Sequence, residues 1–468
     1  MQTVTFANLW IDGRWQSNVS VRIDAGGAIV NLQPNHAPAD AAVVRGLTLP
    51  GLADAHCHAF QRLLPAWTQQ ARSSSEDFWS WREAMYAAAA QLGAAELEAV
   101  AARCYLELLR GGYTEVAEFL YLHRLSGQPQ GVLDADAAIS RAATRAGIGL
   151  TLLPALYQYG DFGRVAPSSG QARFVRSAEQ FLDDFAELQR RYPAAGGTSL
   201  GVAFHSLRAV ELHTIEELSA ELRRSPRCAA LHIHVAEQPA EVEACRRHYG
   251  STPVALLAER GLLDARWALI HAIHTDAREL AQIAGSGASL VLCPTTEADL
   301  GDGCADAARF LEAGGHLAIG SDSNIVRHAF GELRQLEWAL RLLRGRRNVL
   351  AAPSSPAVAD RLYQEVLAGG WRALGRQRGG TLGTGARADF VTFDAAEGDW
   401  PQLPPEYYMS ALVFGAEAAV ARQVLVGGRW VIRDGRHAHE AEIDAAYRAT
   451  LQRLRPALSA ALARNKNG

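Results

Sequence analysis

Residues 51–62 read GLADAHCHAFQR, and His56 and His58 inside that run set the reading of the whole chain. On a strand, residues i and i+2 share a face, so the two imidazoles lie side by side while Cys57 turns the other way as a packed thiol. Two imidazoles together at a strand end make half of a divalent-metal site. The stretch LTLPGLADA (47–55) leads in through a Pro-Gly turn, and a loop-to-helix segment follows.

Outward from this run, apolar strand-like segments alternate with amphipathic helices. The strands are predicted at 52–58, 114–119, 148–154, 199–205, 229–235, 267–272, 289–293 and 316–322. Helical stretches between them include EDFWSWREAMYAAAAQL, AAELEAVAARCYLELLRG, SAEQFLDDFAELQRRY and TPVALLAERG. Eight strands separated by helices predict an α/β fold, a TIM-like (β/α)8 barrel. Short strands flank it: TFANLWIDG, RWQSNVSVRID and AIVNL before, LGTGARADFVTFD and RQVLVGGRWVIRDGR after. NLWIDGRW and LVGGRWVIRDGR resemble each other like matched hairpins. They predict a small β-sandwich built from both termini, with residues 1–50 and 381–468 in that unit and 51–380 in the barrel. The last ~25 residues form an amphipathic helix of unassigned role.

Barrel chemistry collects at the C-terminal ends of strands. There the chain offers His56 and His58 on strand one, His232, His234 and Glu237 on strand five, His271 and His274 on strand six, and Asp322 on strand eight. Three histidines with an aspartate suit one divalent ion with a position left for water. The expected ligands are His56, His58, His234 and Asp322, with zinc the default and iron(II) or manganese the alternatives. His234 is preferred to His232 because it lies nearer the strand end. Glu237, three residues on, suits an acid/base that is not itself a ligand. His271 suits an electrophilic role, and Asp322 shares in deprotonating water. His232 and His274 are expected to be structural. His123, His213, His248, His316, His328, His437 and His439 are expected at the surface.

Composition narrows the classes. The chain has 468 residues, 49% hydrophobic and 21% charged, with a net charge of −4. That is a soluble globular composition with no nucleic-acid or membrane footprint. The N-terminus lacks a signal-peptide pattern, and no apolar run is long enough to span a bilayer. The six cysteines form no CxxC pair, which fits a reducing cytoplasm. Lys466, in the tail ARNKNG, is the only lysine. Mechanisms that need a core lysine, such as a Schiff base or a carbamylated metal bridge, are thereby excluded.

At these residues the chain resembles the amidohydrolase superfamily over essentially its whole length. Without an internal lysine it looks like the mononuclear deaminase branch, and HVAE resembles that branch's pair of metal histidine and shuttle glutamate. The longer strings LPGLADAHCHAFQR, TEVAEFLYLH, FHSLRAV, HIHVAEQ and GSDSN resemble the formiminoglutamate deiminase family. The resemblance implies hydrolysis of a linear amidine in histidine degradation: N-formimino-L-glutamate to N-formyl-L-glutamate and ammonia. It also suggests a homodimer.

A substrate with two carboxylates calls for the planar fork of arginine and for strong donors. Arg208 and His205 at strand four, Tyr121 after strand two and Gln61 after the ligand pair are the expected contacts. Arg82, in FWSWREAM (78–85), joins them mainly on the resemblance, with Arg62 as its competitor. The rival readings are a deaminase of a purine, pyrimidine or triazine, and a non-catalytic binding protein on a decayed barrel. The second would have lost Glu237, His271 or Asp322, and all three are present.

Overall fold

The computed structural model describes all residues except 37–41, 71–75, 128–131, 194–196, 377, 395–401, 418 and 465–468. Lys466 lies outside the described residues.

Both termini build one sheet. Gln2–Ile11 and Arg14–Ile23 pair through a two-residue turn, Asp12-Gly13, with φ of 46° and 81°. That left-handed pair has the twist a tight hairpin needs. The same device recurs near the C-terminus. Gly427-Gly428 joins Ala421–Val426 to Arg429–Arg433, and Asp434-Gly435 joins that strand to Arg436–His437, all four turn residues at positive φ. The likeness between the two ends of the sequence is therefore a likeness of hairpins. The halves meet where Phe390–Phe393 pairs antiparallel with Val43–Pro50. Val43–Pro50 in turn lies parallel to Gln2–Ile11, the one parallel pair in this sheet among the described residues. Phe6, Val19, Val21, Ile23, Phe390 and Leu425 form its separate apolar core, with the Phe6 and Phe390 rings 4.8 Å apart.

The barrel strands are Leu52–Cys57, Tyr113–Leu120, Gly149–Leu156, Ser199–Leu200 with Val202–Phe204, Leu231–Val235, Trp267–His271, Ser289–Leu292 and His316–Ile319. Neighbours pair in parallel, in chain order. They are covered on both faces, so each reads as a near-continuous apolar run. Strand eight closes on strand one through two backbone bonds: His58 N–H donates to the Asp322 carbonyl (3.1 Å) and Asp322 N–H to that of His56 (2.9 Å). The closing seam thus runs through three of the expected ligands.

The helices start and stop on local signals. Asp77, Ser177 and Asp276 cap Phe78–Ala89, Ala178–Arg191 and Ala277–Ser286 with reciprocal side-chain bonds. Gly287 ends Ala277–Ser286 in the left-handed conformation, and Gly250 and Gly345 end two further helices the same way. The C-terminal helix Glu440–Arg464 packs on Ala94–Arg110, tied by Arg103 to Asp444 and by Arg110 Nη2 to Glu440 Oε1 at 2.6 Å. Among the described residues, no helix is long and apolar enough to cross a membrane.

Two of the expected surface histidines are buried instead. His123 Nε2 bonds the Ala155 carbonyl at 2.8 Å, and His437 Nε2 that of Ala146 at 3.0 Å. Ala146 is the last residue of the helix Val132–Ala146, and the Ala155 carbonyl also accepts from Arg176 Nη2 at 3.2 Å. His328 is half-buried and bonds the Ala419 carbonyl.

Candidate metal centre and substrate pocket

At the C-terminal rim of the barrel, three imidazole nitrogens converge. His234 Nε2 lies 3.1 Å from His56 Nε2 and 3.4 Å from His58 Nε2. Asp322 Oδ1 lies 3.4 Å from both His56 Nε2 and His58 Nε2. The outward nitrogens fix the tautomers. His58 Nδ1–H donates to the Phe119 carbonyl (2.9 Å) and His234 Nδ1–H to that of His205 (2.8 Å). In the neutral ring each Nε2 then carries a bare lone pair, and these lone pairs face one another. Burial disfavours protons in the gap: together with the neighbouring imidazoles it holds His56 and His234 well below the ordinary histidine range, and it also lowers His58.

A cation is the natural complement. Ligands about 2.0–2.1 Å from a tetrahedral zinc stand about 3.3–3.4 Å apart; three of the four separations above are 3.4 Å and the His234–His56 pair is closer at 3.1 Å. The donor set therefore fits a divalent metal.

The backbone around the site is strained. Ala236, His271, Ala272, Asp322 and Asn324 all have positive φ, between 44° and 72°. Elsewhere among the described residues, Arg164 aside, the non-glycine residues at positive φ are Asp or Asn, which tolerate that region best. The strand ends are thus bent out of extended geometry where the candidate groups project.

Glu237 is buried beside the donors. Burial lifts its carboxyl to about 7, although His271 and Arg208 pull the other way. His271 has Nε2 3.6 Å from Glu237 Oε1 and 3.7 Å from Asp322 Oδ2. Its Nδ1 lies 3.2 Å from Glu297 Oε1. Burial disfavours the imidazolium, yet the surrounding carboxylates outweigh it and raise His271 to about 10.

A pocket opens over these groups. It is walled by Phe78, Trp81, Met85, Tyr86, Tyr157, Phe174 and Leu300, and it also exposes Gln61, Arg82, Tyr121, His205 and Arg208. All five sequence-selected contacts thus line one cavity. Arg82 stacks over the rings of Trp79 (4.4 Å) and Tyr86 (5.5 Å). Among the described residues it has no carboxylate partner, and its Nε is buried without a hydrogen bond. Arg208 is buried, its Nε is also unbonded, and its nearest carboxylates, Glu237 and Glu241, stand off at 3.9 and 4.0 Å. Gln61 Nε2 donates to the Tyr121 hydroxyl at 2.8 Å, leaving Gln61 Oε1 unbonded. His205 Nδ1 lies 3.3 Å from Ser206 Oγ.

Arg62 is placed elsewhere. It forks onto Glu107 at 2.7 and 3.1 Å and does not line the cavity. His232 points behind the strand, bonding the Ala373 carbonyl at 2.8 Å. His274 is half-buried and does not line the cavity. Sequence reasoning pointed to the aromatics of FWSW, which supply Phe78 and Trp81 to the wall, but missed Tyr86, Tyr157 and Phe174 together with Glu297 and Glu241. Glu297 left a trace as a charged residue just past an apolar strand in LVLCPTTEADL.

Residues 47–431 match the amidohydrolase family. A formimidoylglutamate deiminase of Pseudomonas aeruginosa is 41% identical over 428 residues, covering 91% of this chain and 93% of that protein. A 5-methylthioadenosine/S-adenosylhomocysteine deaminase of Halobacterium salinarum is 30% identical over 394 residues, 83% of this chain and 82% of the other. An amidohydrolase structure from Brucella melitensis superposes with a TM-score of 0.90 at 37% identity, covering 97% of this chain and 100% of that one.

Proposed function

Because the chain belongs to the amidohydrolase family, we propose that it hydrolyses N-formimino-L-glutamate to N-formyl-L-glutamate and ammonia. One observation carries this reading: two guanidinium groups with unbonded Nε atoms, Arg82 and Arg208, share a pocket with the convergent histidines. A dicarboxylate with an amidine head matches that division into a cationic end and a hydrolytic end. The 41% identity to a formimidoylglutamate deiminase supports it independently. The aromatic wall and the 30% relative favour deamination of a purine or related heterocycle as second reading, but that reading leaves both arginines without a task.

His56, His58, His234 and Asp322 would hold one divalent ion, zinc by the donor set, with iron(II) or manganese as the other fits. Bound there, the ion supplies water acidic enough to ionise near neutral pH. Glu237, with Asp322, takes the proton as water oxygen bonds to the formimino carbon. His271 donates a hydrogen bond to the group on which charge changes. Glu237 then delivers that proton to the imino nitrogen, and carries the remaining hydroxyl proton to the same nitrogen as the formyl C=O forms, the carbon–nitrogen bond breaks and ammonia leaves. Arg82 and Arg208 hold the glutamate carboxylates, while Gln61, Tyr121 and His205 fix the chain between them. The same reading makes the protein a cytoplasmic homodimer of histidine degradation, acting on a small molecule without nucleic-acid or membrane partners. Its barrel unit is 51–380 and its terminal unit 1–50 with 381–468. The six free cysteines suit a reducing compartment.

The test is ammonia release by metal-assayed protein from N-formimino-L-glutamate, with guanine, cytosine and 5′-methylthioadenosine in parallel. Release from formiminoglutamate alone, at about one metal per chain, is expected. Turnover of a heterocycle instead would discard the substrate assignment and keep the metal centre.

A further inference from the structure

We propose that Glu297 is a positioning residue that acts on the reaction only through His271. This rests on the proposed reaction, since turnover is its readout. Glu297 sits on the short helix Pro294–Leu300 after barrel strand seven and is buried. Among the described residues no arginine pairs with it. A buried carboxylate without a guanidinium is a poor way to stabilise a fold, so its placement calls for another reason.

Its hydrogen bonds supply one. Oε1 accepts the Cys293 backbone N–H at 2.8 Å, which locks the carboxylate, and the same oxygen faces His271 Nδ1 at 3.2 Å. A carboxylate can only accept, so it selects the ring form with hydrogen on Nδ1. Nε2 is then the atom turned toward Glu237 and Asp322. His271 needs such a hold. Its φ is 72° and that of Ala272 is 45°, so the strand no longer dictates where the ring points. His271, Cys293 and Glu297 could also be read as a second metal cluster. Against that reading, Glu297 Oε1 already serves two nitrogens, and a metal would displace both.

The experiment is a double-mutant cycle on the metal-loaded enzyme with N-formimino-L-glutamate. Glu297→Ala should lower kcat by about 10–100-fold, the usual loss for a group behind the reacting residue, with KM within about threefold of wild type. Glu297→Gln, whose amide oxygen can accept both N–H groups, should recover most of that loss. In a His271→Ala background, Glu297→Ala should change kcat by less than about twofold, because coupled residues are not additive. The inference is overturned if Glu297→Ala keeps wild-type kcat, or if it costs the same factor with and without His271. Should the Ala variant fail to fold, Glu297→Asp withdraws the oxygen by one methylene, and wild-type kcat in that variant overturns it equally. Wild-type enzyme that releases no ammonia refutes the proposed reaction instead, and is seen before any variant is compared.

Discussion

Glu237 lies between influences that pull its proton in opposite directions. Burial favours the neutral acid, His271 and Arg208 favour the anion, and the balance near 7 suits the base-then-acid role proposed for Glu237. Glu237→Gln keeps the size and removes the proton traffic. It should hold a wild-type metal content, because Glu237 is outside the proposed ligand set, and lose about 10²–10⁴-fold in kcat. Metal analysis beside steady-state kinetics decides it: loss of the metal would move Glu237 into the coordination sphere, and full activity would remove it from the mechanism. At this scale much was legible. HVAE places Glu237 one turn of chain beyond His234, a local spacing any reader of the sequence can see. Arg82 and Arg62 could not be separated that way, because the distinction is made by Glu107, 45 residues from Arg62. The pairing of Glu297 with His271 was hidden for the same reason, since His271 lies 26 residues earlier, at the end of strand six.

At the scale of elements, the eight strands were readable because a fully covered parallel strand is a compact apolar run between turn signals. The sequence could not show how tightly strand eight must lie against strand one. Asp54 on strand one accepts both the backbone N–H (2.9 Å) and the hydroxyl (2.6 Å) of Ser321. Asn324 donates to the carbonyls of His58 (3.0 Å) and Asp322 (2.9 Å). Between these clasps, a Cβ on Gly320 would stand 2.6 Å from the His56 carbonyl oxygen and 2.7 Å from its Cβ. Gly320→Ala must therefore push apart the two strands that carry His56 and Asp322. The expected cost is about 1–3 kcal/mol of stability from overpacking, with a clear loss of metal affinity. Thermal unfolding with and without added metal tests this. An alanine variant that binds metal as tightly as wild type would show that the seam tolerates the displacement.

At the scale of the molecule, one carboxylate joins parts of the chain that the sequence keeps far apart. Glu107, on the helix Ala94–Arg110 that leads into strand two, meets Arg62 of the strand-one loop at 2.7 Å, Arg103 at 2.8 Å, and Arg327 of the strand-eight loop at 2.7 Å. Arg103 also pairs with Asp444, and Arg62 lies 5.5 Å over the ring of Tyr447, so the hub reaches the C-terminal helix. That helix thus gains a role the sequence left unassigned: it backs the two loops that flank the candidate metal centre. Burial would raise the Glu107 carboxyl, but Arg62, Arg327 and Arg103 together bring it below the ordinary range. A carboxyl lowered by folding contributes stability that is complete above its unfolded value of about 4.3 and is lost as pH falls through the folded value. Glu107→Gln should therefore destabilise the protein at pH 7 by about 1–3 kcal/mol, less than for a fully dry ion pair because the network is partly solvated. The gap between variant and wild type should close as pH falls below about 4. Unfolding midpoints of both proteins across that range measure it. A gap that stays constant in acid would mean that the hub holds these elements by shape alone, since protonation erases the charge of Glu107 and leaves its packing intact.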